Sequence, residues 1–188
     1  NSKVILDFLN KKMKLVLIVI VCIVKLTFSQ TATEHYAQSK FNFDKKSFIK
    51  ALESIEHAIK LDSSNANFFL TKAQIHNALK NYKKSYETYN QAITIFPNES
   101  SIYSERGHLL LSFQDFERAI NNYTKAIDNT KNDSLKNQYV KSRAAAKISS
   151  RDFDGAYKDL LNAFKFDSTN ITTLTDLGAV CDEIGKES

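Results

Sequence analysis

The chain contains no tryptophan, one proline and four glycines in 188 residues, and only two cysteines. Sheet-rich folds draw heavily on glycine and proline for their turns, so this scarcity argues against a sandwich or barrel and for helices. Cys22 lies in an apolar run near the N-terminus and Cys181 stands alone in the rest. No intramolecular disulfide can then hold the mature chain, and the fold depends on its core. A run long enough to span a bilayer, about 20 apolar residues, is also missing. The longest stretch, Leu15 to Val24, has 10 residues, or 14 if it continues past Lys25 to Phe28.

Catalytic signatures are equally scarce. The sequence has no glycine-rich phosphate loop, no G-x-S-x-G and no G-x-G-x-x-G. His35, His57, His76 and His108 never lie three or four residues apart, so no single helix carries a metal-binding pair. Cys181 has no nearby histidine and is expected to fill a small packing position. No cofactor, no metal and no small-molecule substrate are expected, and the chain does not read as an enzyme.

Of what is present, hydrophobic residues at 43% and charged residues at 25% indicate a globular chain rather than a disordered one. The net charge of +5 suggests an anionic partner at first sight. Five of the basic residues (Lys3, Lys11, Lys12, Lys14, Lys25) and only one acidic residue (Asp7) lie in residues 1–29, however. The remainder is within one charge of neutral, so the charge gives no support to nucleic-acid binding.

Residues 13–29 read as a secretory signal peptide. Lys11, Lys12 and Lys14 form a basic flank, the apolar run follows, and Thr27 and Ser29 are small residues suited to cleavage after Ser29. Val21 before Cys22 argues against lipidation. The alternative is an uncleaved anchor, and membrane contact is expected only through it. Residues 1–12 precede Met13, the only methionine, and are a candidate non-native upstream extension. The Phe28-Ser29-Gln30 end and the Lys/Asn/Ile-rich composition resemble exported proteins of AT-rich bacteria of the Bacteroidetes type. The expected location is then the periplasm or cell envelope.

The body of the chain repeats itself. At an offset of 34, Phe48, Tyr82 and Phe116 align, as do Ala51, Ser85 and Ala119, Ile55, Tyr89 and Tyr123, and Ala58, Ala92 and Ala126. At an offset of 37, Phe153, Ala156, Leu160 and Ala163 continue these columns, implying a three-residue insertion near Lys131–Lys136. Large, small, large and alanine at +0, +3, +7 and +10 lie on one face of an α-helix. This predicts B helices over 45–61, 82–96, 116–130 and 153–166. Upstream, Ser39, Ala73, Gly107, Ala144 and Gly178 form a small-residue column, with His35, Phe69, Tyr103, Val140 and Leu174 four residues before. These predict A helices over 32–43, 66–79, 100–113, 134–149 and 171–184. The breaks Asp62-Ser63-Ser64-Asn65, Phe96-Pro97-Asn98-Glu99 and Asp167-Ser168-Thr169-Asn170 supply caps and a helix stop.

Tyr103, Gly107, Phe116, Ala119, Tyr123 and Ala126, with Pro97 closing the repeat before, resemble the tetratricopeptide repeat. The expected fold is all-α, a right-handed α-solenoid of helix-turn-helix repeats: 32–65, 66–99, 100–133 and 137–170, then 171–188 as the first helix of a partial fifth. The signature tryptophan is absent from every copy.

The resemblance implies an extended concave surface lined by A helices that holds peptides or partner helices. Its expected lining is Tyr36, Lys40 and Phe43; Asn67, Leu70, Gln74 and Asn77; Ser101, Ser104, His108 and Leu111; and Lys141, Ala145 and Ile148. A known subfamily grips C-terminal carboxylates from such a surface. Its positions are held here by Tyr36, Lys40, Thr71, Ser101 and Glu105, and Glu105 would repel a carboxylate. The expected function is a non-enzymatic scaffold binding a protein or peptide, not nucleic acid. One alternative is the recognition module of a larger enzyme or signalling protein continuing past residue 188. Another is a self-assembling protein joined through its apolar end near Leu174–Val180.

Overall fold

The computed structural model describes residues 31–187 and, singly, Met13. The upstream extension and the signal peptide therefore lie outside the described residues, Met13 apart. Among the described residues there are nine α-helices and no strand: α1 (Ala32–Asp44), α2 (Phe48–Leu61), α3 (Ala66–Ala78), α4 (Tyr82–Ile95), α5 (Ser100–Ser112), α6 (Phe116–Asn129), α7 (Asp133–Ser149), α8 (Phe153–Phe166) and α9 (Ile171–Glu187). Odd helices are the A helices and even ones the B helices. Each packs chiefly on the helix before and the helix after it, as stacked two-helix repeats do. Direct contact also joins α1 to α3 and α3 to α5, whereas no two consecutive B helices come as close. Over the first three repeats the A helices therefore lie closer to one another than the B helices do.

The closest approach within each repeat is a crossing of small residues. Ser39, Ala51, Ala73, Ser85, Ala119, Ala144 and Ala156 are all 0% exposed. Two of the crossings also carry a hydrogen bond, in opposite senses. Ser39 Oγ donates to the Ala51 carbonyl at 2.8 Å in the first repeat. In the second, Ser85 Oγ donates to the Ala73 carbonyl at 2.9 Å. A serine hydroxyl buried here costs little because the opposing backbone satisfies it. At the third crossing, a Cβ on Gly107 would lie 2.9 Å from Cε1 of Tyr123. The large residues of the B column, Ile55, Tyr89, Tyr123 and Leu160, are buried beside these contacts.

The turns inside the repeats explain why α2 begins at Phe48 and not at residue 45. Lys46 adopts φ 58°, and Lys80 (59°), Gln114 (60°) and Arg151 (64°) repeat the conformation at equivalent places. Each ends its A helix with paired reverse hydrogen bonds. In the second repeat these run from the Lys80 N–H to the Asn77 carbonyl at 2.9 Å and from the Asn81 N–H to the His76 carbonyl at 2.8 Å. That pattern satisfies helix-end carbonyls, and it offsets the roughly 1–2 kcal/mol that a left-handed residue with a Cβ costs. The three-residue insertion is absorbed by helix, not loop: α7 has 17 residues where α3 and α5 have 13.

A basic column ties consecutive repeats together. Lys72 reaches Glu56 at 2.9 Å. Arg106 donates to Asn122 at 2.8 Å on its own B helix and to Asn90 at 2.6 Å on the preceding one. Arg143 does the same, to Asp159 at 2.9 and 2.7 Å and to Thr124 at 3.0 Å. Lys147 adds a second cation to the buried Asp159 carboxylate at 2.8 Å. Because one guanidinium bonds two B helices, it fixes the register between repeats as well as within one.

Two expectations need correction. The aromatic column Phe48, Tyr82, Phe116 and Phe153, whose 34- and 37-residue spacing leads one to expect core, is not wholly core, since Tyr82 is 39% exposed and only Phe153 is buried. All four stand at the first position of their helices, where only Phe153 is closed into a core cluster, with Ala144 of its A helix. Cys181 does not fill a packing position either: it is exposed, on a face of α9 that no described helix covers.

The crossing makes a direct prediction. Gly107→Val drives a branched side chain into the ring of Tyr123 and should lower unfolding stability by about 2 kcal/mol. Gly178 occupies the equivalent place in α9, yet a Cβ there meets nothing within 4 Å. Gly178→Val should leave stability within about 0.5 kcal/mol in the same urea titration.

Candidate functional site

The A-helix face is built by the register of α1, α3, α5 and α7. Their small column turns towards the B helices, so the residues on the opposite side of each helix are left to line the inner surface. Asn67, Gln74 and Asn77 of α3 are exposed there, as are Lys40 of α1, His108 of α5 and Ala145 of α7. Tyr36, Phe43, Ser101, Leu111, Lys141 and Ile148 are half-buried. Leu70 and Ser104 are buried, at 9% and 6% exposure, because neighbouring A helices close over them. The two lie within the wall of the surface and present little of themselves to a partner.

Several of these side chains are held in place. Tyr36 packs on Phe68 with ring centroids 4.9 Å apart, and the Lys40 ammonium sits 5.7 Å from the Tyr36 centroid. Gln74 donates from Nε2 to Glu105 Oε2 at 3.4 Å, bridging α3 to α5 across the surface. His108 Nδ1 lies 2.9 Å from the Tyr123 hydroxyl, and the two rings meet edge to face at 5.3 Å. The exposed histidine is thus tied to the B-column tyrosine beside the Gly107 crossing. The surface mixes the three amides of α3 with hydroxyl and apolar groups, most of the latter half-buried, and carries charges of both signs at Lys40, Glu105 and Lys141. Such a lining can bond to peptide backbone without demanding a particular net charge.

Burial sets the chemistry of the tyrosines beneath. It pushes the hydroxyls of Tyr89 and Tyr123 well above the ordinary tyrosine range, and the nearby Glu105 carboxylate adds to the effect. Burial also lowers the pKa of His76, helped by Lys72 and Lys84, and His76 Nδ1 has no hydrogen-bond partner. Neutral imidazole is therefore its resting form inside the core.

Two groupings escape a reading that looks only three or four residues along a helix. His35 of α1 and His57 of α2 stack with centroids 5.2 Å apart. The basic column Lys72, Arg106, Arg143 was visible at the repeat offset, but its partners lie mainly 16 residues away on other helices. Among the described residues no group of three or more histidine, cysteine or acidic side chains could hold a metal ion. No described helix is long and apolar enough to cross a membrane.

The geometry defines a class first: an all-α solenoid of two-helix repeats with an inner A face. Within that class, residues 66–99 and 100–133 match the family model of the tetratricopeptide repeat. The chain is similar in fold to the MamA protein, with a TM-score of 0.69 and 14% identity over 82% of each chain. It is similar to a tetratricopeptide repeat protein from Parabacteroides merdae, with a TM-score of 0.72 and 16% identity over 84% of this chain and 62% of that one. A structure of Naa15/Naa10 bound to HypK-THB gives a TM-score of 0.66 and 20% identity, over 82% of this chain and 23% of the other. No curated protein matches the sequence. The fold is that of tetratricopeptide repeat arrays, which in general are non-catalytic protein-binding scaffolds.

The raised tyrosines give a testable pH dependence. A group held neutral by the fold stabilises it fully below its unfolded pKa, near 10 for tyrosine, and ceases to do so as the pH rises above that. Unfolding stability should therefore fall above about pH 10. Absorbance at alkaline pH should show that Tyr89 and Tyr123 ionise only as the fold is lost. Their ionisation in step with the exposed tyrosines, with helicity intact, would contradict this.

Proposed function

We propose that this chain is an exported scaffold that holds an extended peptide or a partner helix against its A-helix face. The observation that carries the reading is the face itself. Four consecutive A helices expose Lys40, Asn67, Gln74, Asn77, His108 and Ala145, and the first three of these helices touch one another directly. The three amides of α3, Asn67, Gln74 and Asn77, suit the carbonyls and N–H groups of an extended chain. The Naa15/Naa10 structure, bound to HypK-THB, supports the reading by analogy of fold. Export rests on residues 13–29 alone, with their basic flank, apolar run and small residues before a cut after Ser29. The periplasm or cell envelope is the location that follows.

The test is site-specific photo-crosslinking in cells of the source. A photoreactive residue at Gln74 or Ala145 should give a discrete adduct with a partner. The same residue at Glu87 or Lys158, both exposed on B helices, should not. Equal adducts from the B-helix positions, or none from the A-helix positions, would remove the proposal. Protease protection of the chain in whole cells, lost on disrupting the envelope, tests the location.

A further inference from the structure

The turns that join A to B helices lie along one edge of the array, and the charge of that edge changes sign along its length. In the first two repeats, residues 44–50 and 78–84 carry Lys45, Lys46, Lys50, Lys80, Lys83 and Lys84 against Asp44 alone. In the next two, residues 112–118 and 149–155 carry Asp115, Glu117, Asp152 and Asp154 against Arg118 and Arg151. Local chemistry explains the second pair. Asp115 and Asp152 cap α6 and α8 by accepting from the backbone N–H groups of Arg118 and Gly155, and Glu117 and Asp154 sit in the first turns. These are the residues a helix N-terminus favours.

The first pair does the opposite. Neither Ser47 nor Asn81 makes a side-chain cap bond, and neither α2 nor α4 has an acid in its first turn. Lysines occupy those turns instead, adding positive charge to the positive end of the helix dipole. Among the described residues none of the six ammonium groups has an ion-pair partner. Lys45 rests on the ring of Phe41, 4.2 Å from its centroid.

Exposed apolar side chains are interleaved with these lysines. Phe41 is 51% exposed, Ile49 60%, Tyr82 39% and Phe113 51%. Tyr82 and Phe113 meet edge to face at 4.9 Å. They border a cleft of about 280 Å³ between the second and third repeats, lined also by Tyr86, Leu109 and Leu110 and by Lys83, Arg118 and the Arg118-paired carboxylate of Asp115. The fold does not require an aromatic at Phe113, since its place is taken by Lys45, Leu79 and Ser150 in the other repeats.

We propose that this edge is a second docking surface, distinct from the A-helix face, for an acidic peptide segment that places an apolar side chain in the cleft bordered by the Tyr82–Phe113 pair. Charge complementarity selects the occupant: unpaired lysines at uncapped helix starts call for carboxylates, and the cleft calls for one large apolar group. Nucleic acid fits less well. The two exposed rings are spent on each other edge to face, which leaves no parallel platform for bases. The arginine of the cleft is held by Asp115.

The test uses the full chain and a short fluorescein-labelled peptide of alternating glutamate and phenylalanine. Two companion peptides replace every glutamate by glutamine or every phenylalanine by serine, and an oligothymidylate is the fourth probe. The Glu/Phe peptide should bind about tenfold or more tighter than the other three, and binding should weaken as salt rises. Lys83→Glu with Lys84→Glu should lose about tenfold or more, as should the milder pair Lys45→Gln with Lys50→Gln on the neighbouring turn. Phe113→Ser should remove the advantage over the serine-containing peptide. Lys158→Glu, a charge reversal on an exposed B-helix position, should change nothing, helicity being checked for every variant. The proposal is overturned if the glutamine peptide binds as well, if folded lysine variants bind like the parent, or if oligothymidylate binds tighter. Loss of binding in a folded Gln74→Ala variant would place the peptide on the A face and overturn it too, without touching the reading of that face.

Discussion

Everything in this molecule depends on one close contact, the crossing of small residues where the A and B helices of each repeat meet. Ser39 against Ala51, Ala73 against Ser85, Gly107 against Tyr123 and Ala144 beside Ala156 are all closed to solvent, and at Gly107 even a Cβ would meet the opposing ring. Once that distance is set, the large B-column residues fall into the gap beside it and the opposite side of each A helix is turned inward. The inner surface is thus a consequence of packing. The chain achieves it with no tryptophan and no described disulfide, by repeating a cheap contact four times.

Between repeats a different device operates. Arg106 and Arg143 each bond the B helix of their own repeat and that of the one before, and Lys72 pairs with the preceding B helix alone. The small-residue crossings govern how a repeat closes, and the basic column governs how the next one stacks. Since the inner face spans four A helices, its continuity depends on both. His108 shows the coupling at a single residue, being exposed on the inner face yet bonded to the fully buried Tyr123.

Much of this was legible in the sequence because it recurs. Columns at offsets of 34 and 37 located the helices to within a few residues and named the buried B-column positions. What stayed hidden has physical reasons. The turn at Lys46, Lys80, Gln114 and Arg151 takes a left-handed residue where no glycine announces it. The capping box of Thr31 and Glu34, which starts α1 firmly, is a local signal that repeat alignment passes over. The insertion lengthened a helix because Asp133, Ser134 and Lys136 tolerate helical backbone. Leu70 and Ser104 share the register of the exposed A-face residues, and only the approach of neighbouring A helices buries them. The uneven charge along the turn edge vanished in a sum near neutrality.

The central claim is that the repeats are physically equivalent at their crossings, and a double-mutant cycle in the second repeat tests it most directly. Ser85→Ala removes the bond to the Ala73 carbonyl, and Ala73→Ser adds a second hydroxyl to the same crossing. Each change alone should cost about 1 kcal/mol. Together they recreate the arrangement of Ser39 and Ala51 in the first repeat, so the double variant should return to within about 0.5 kcal/mol of the parent. If the two losses simply add, the crossings are not equivalent, and the claim that one repeated contact builds the fold is wrong.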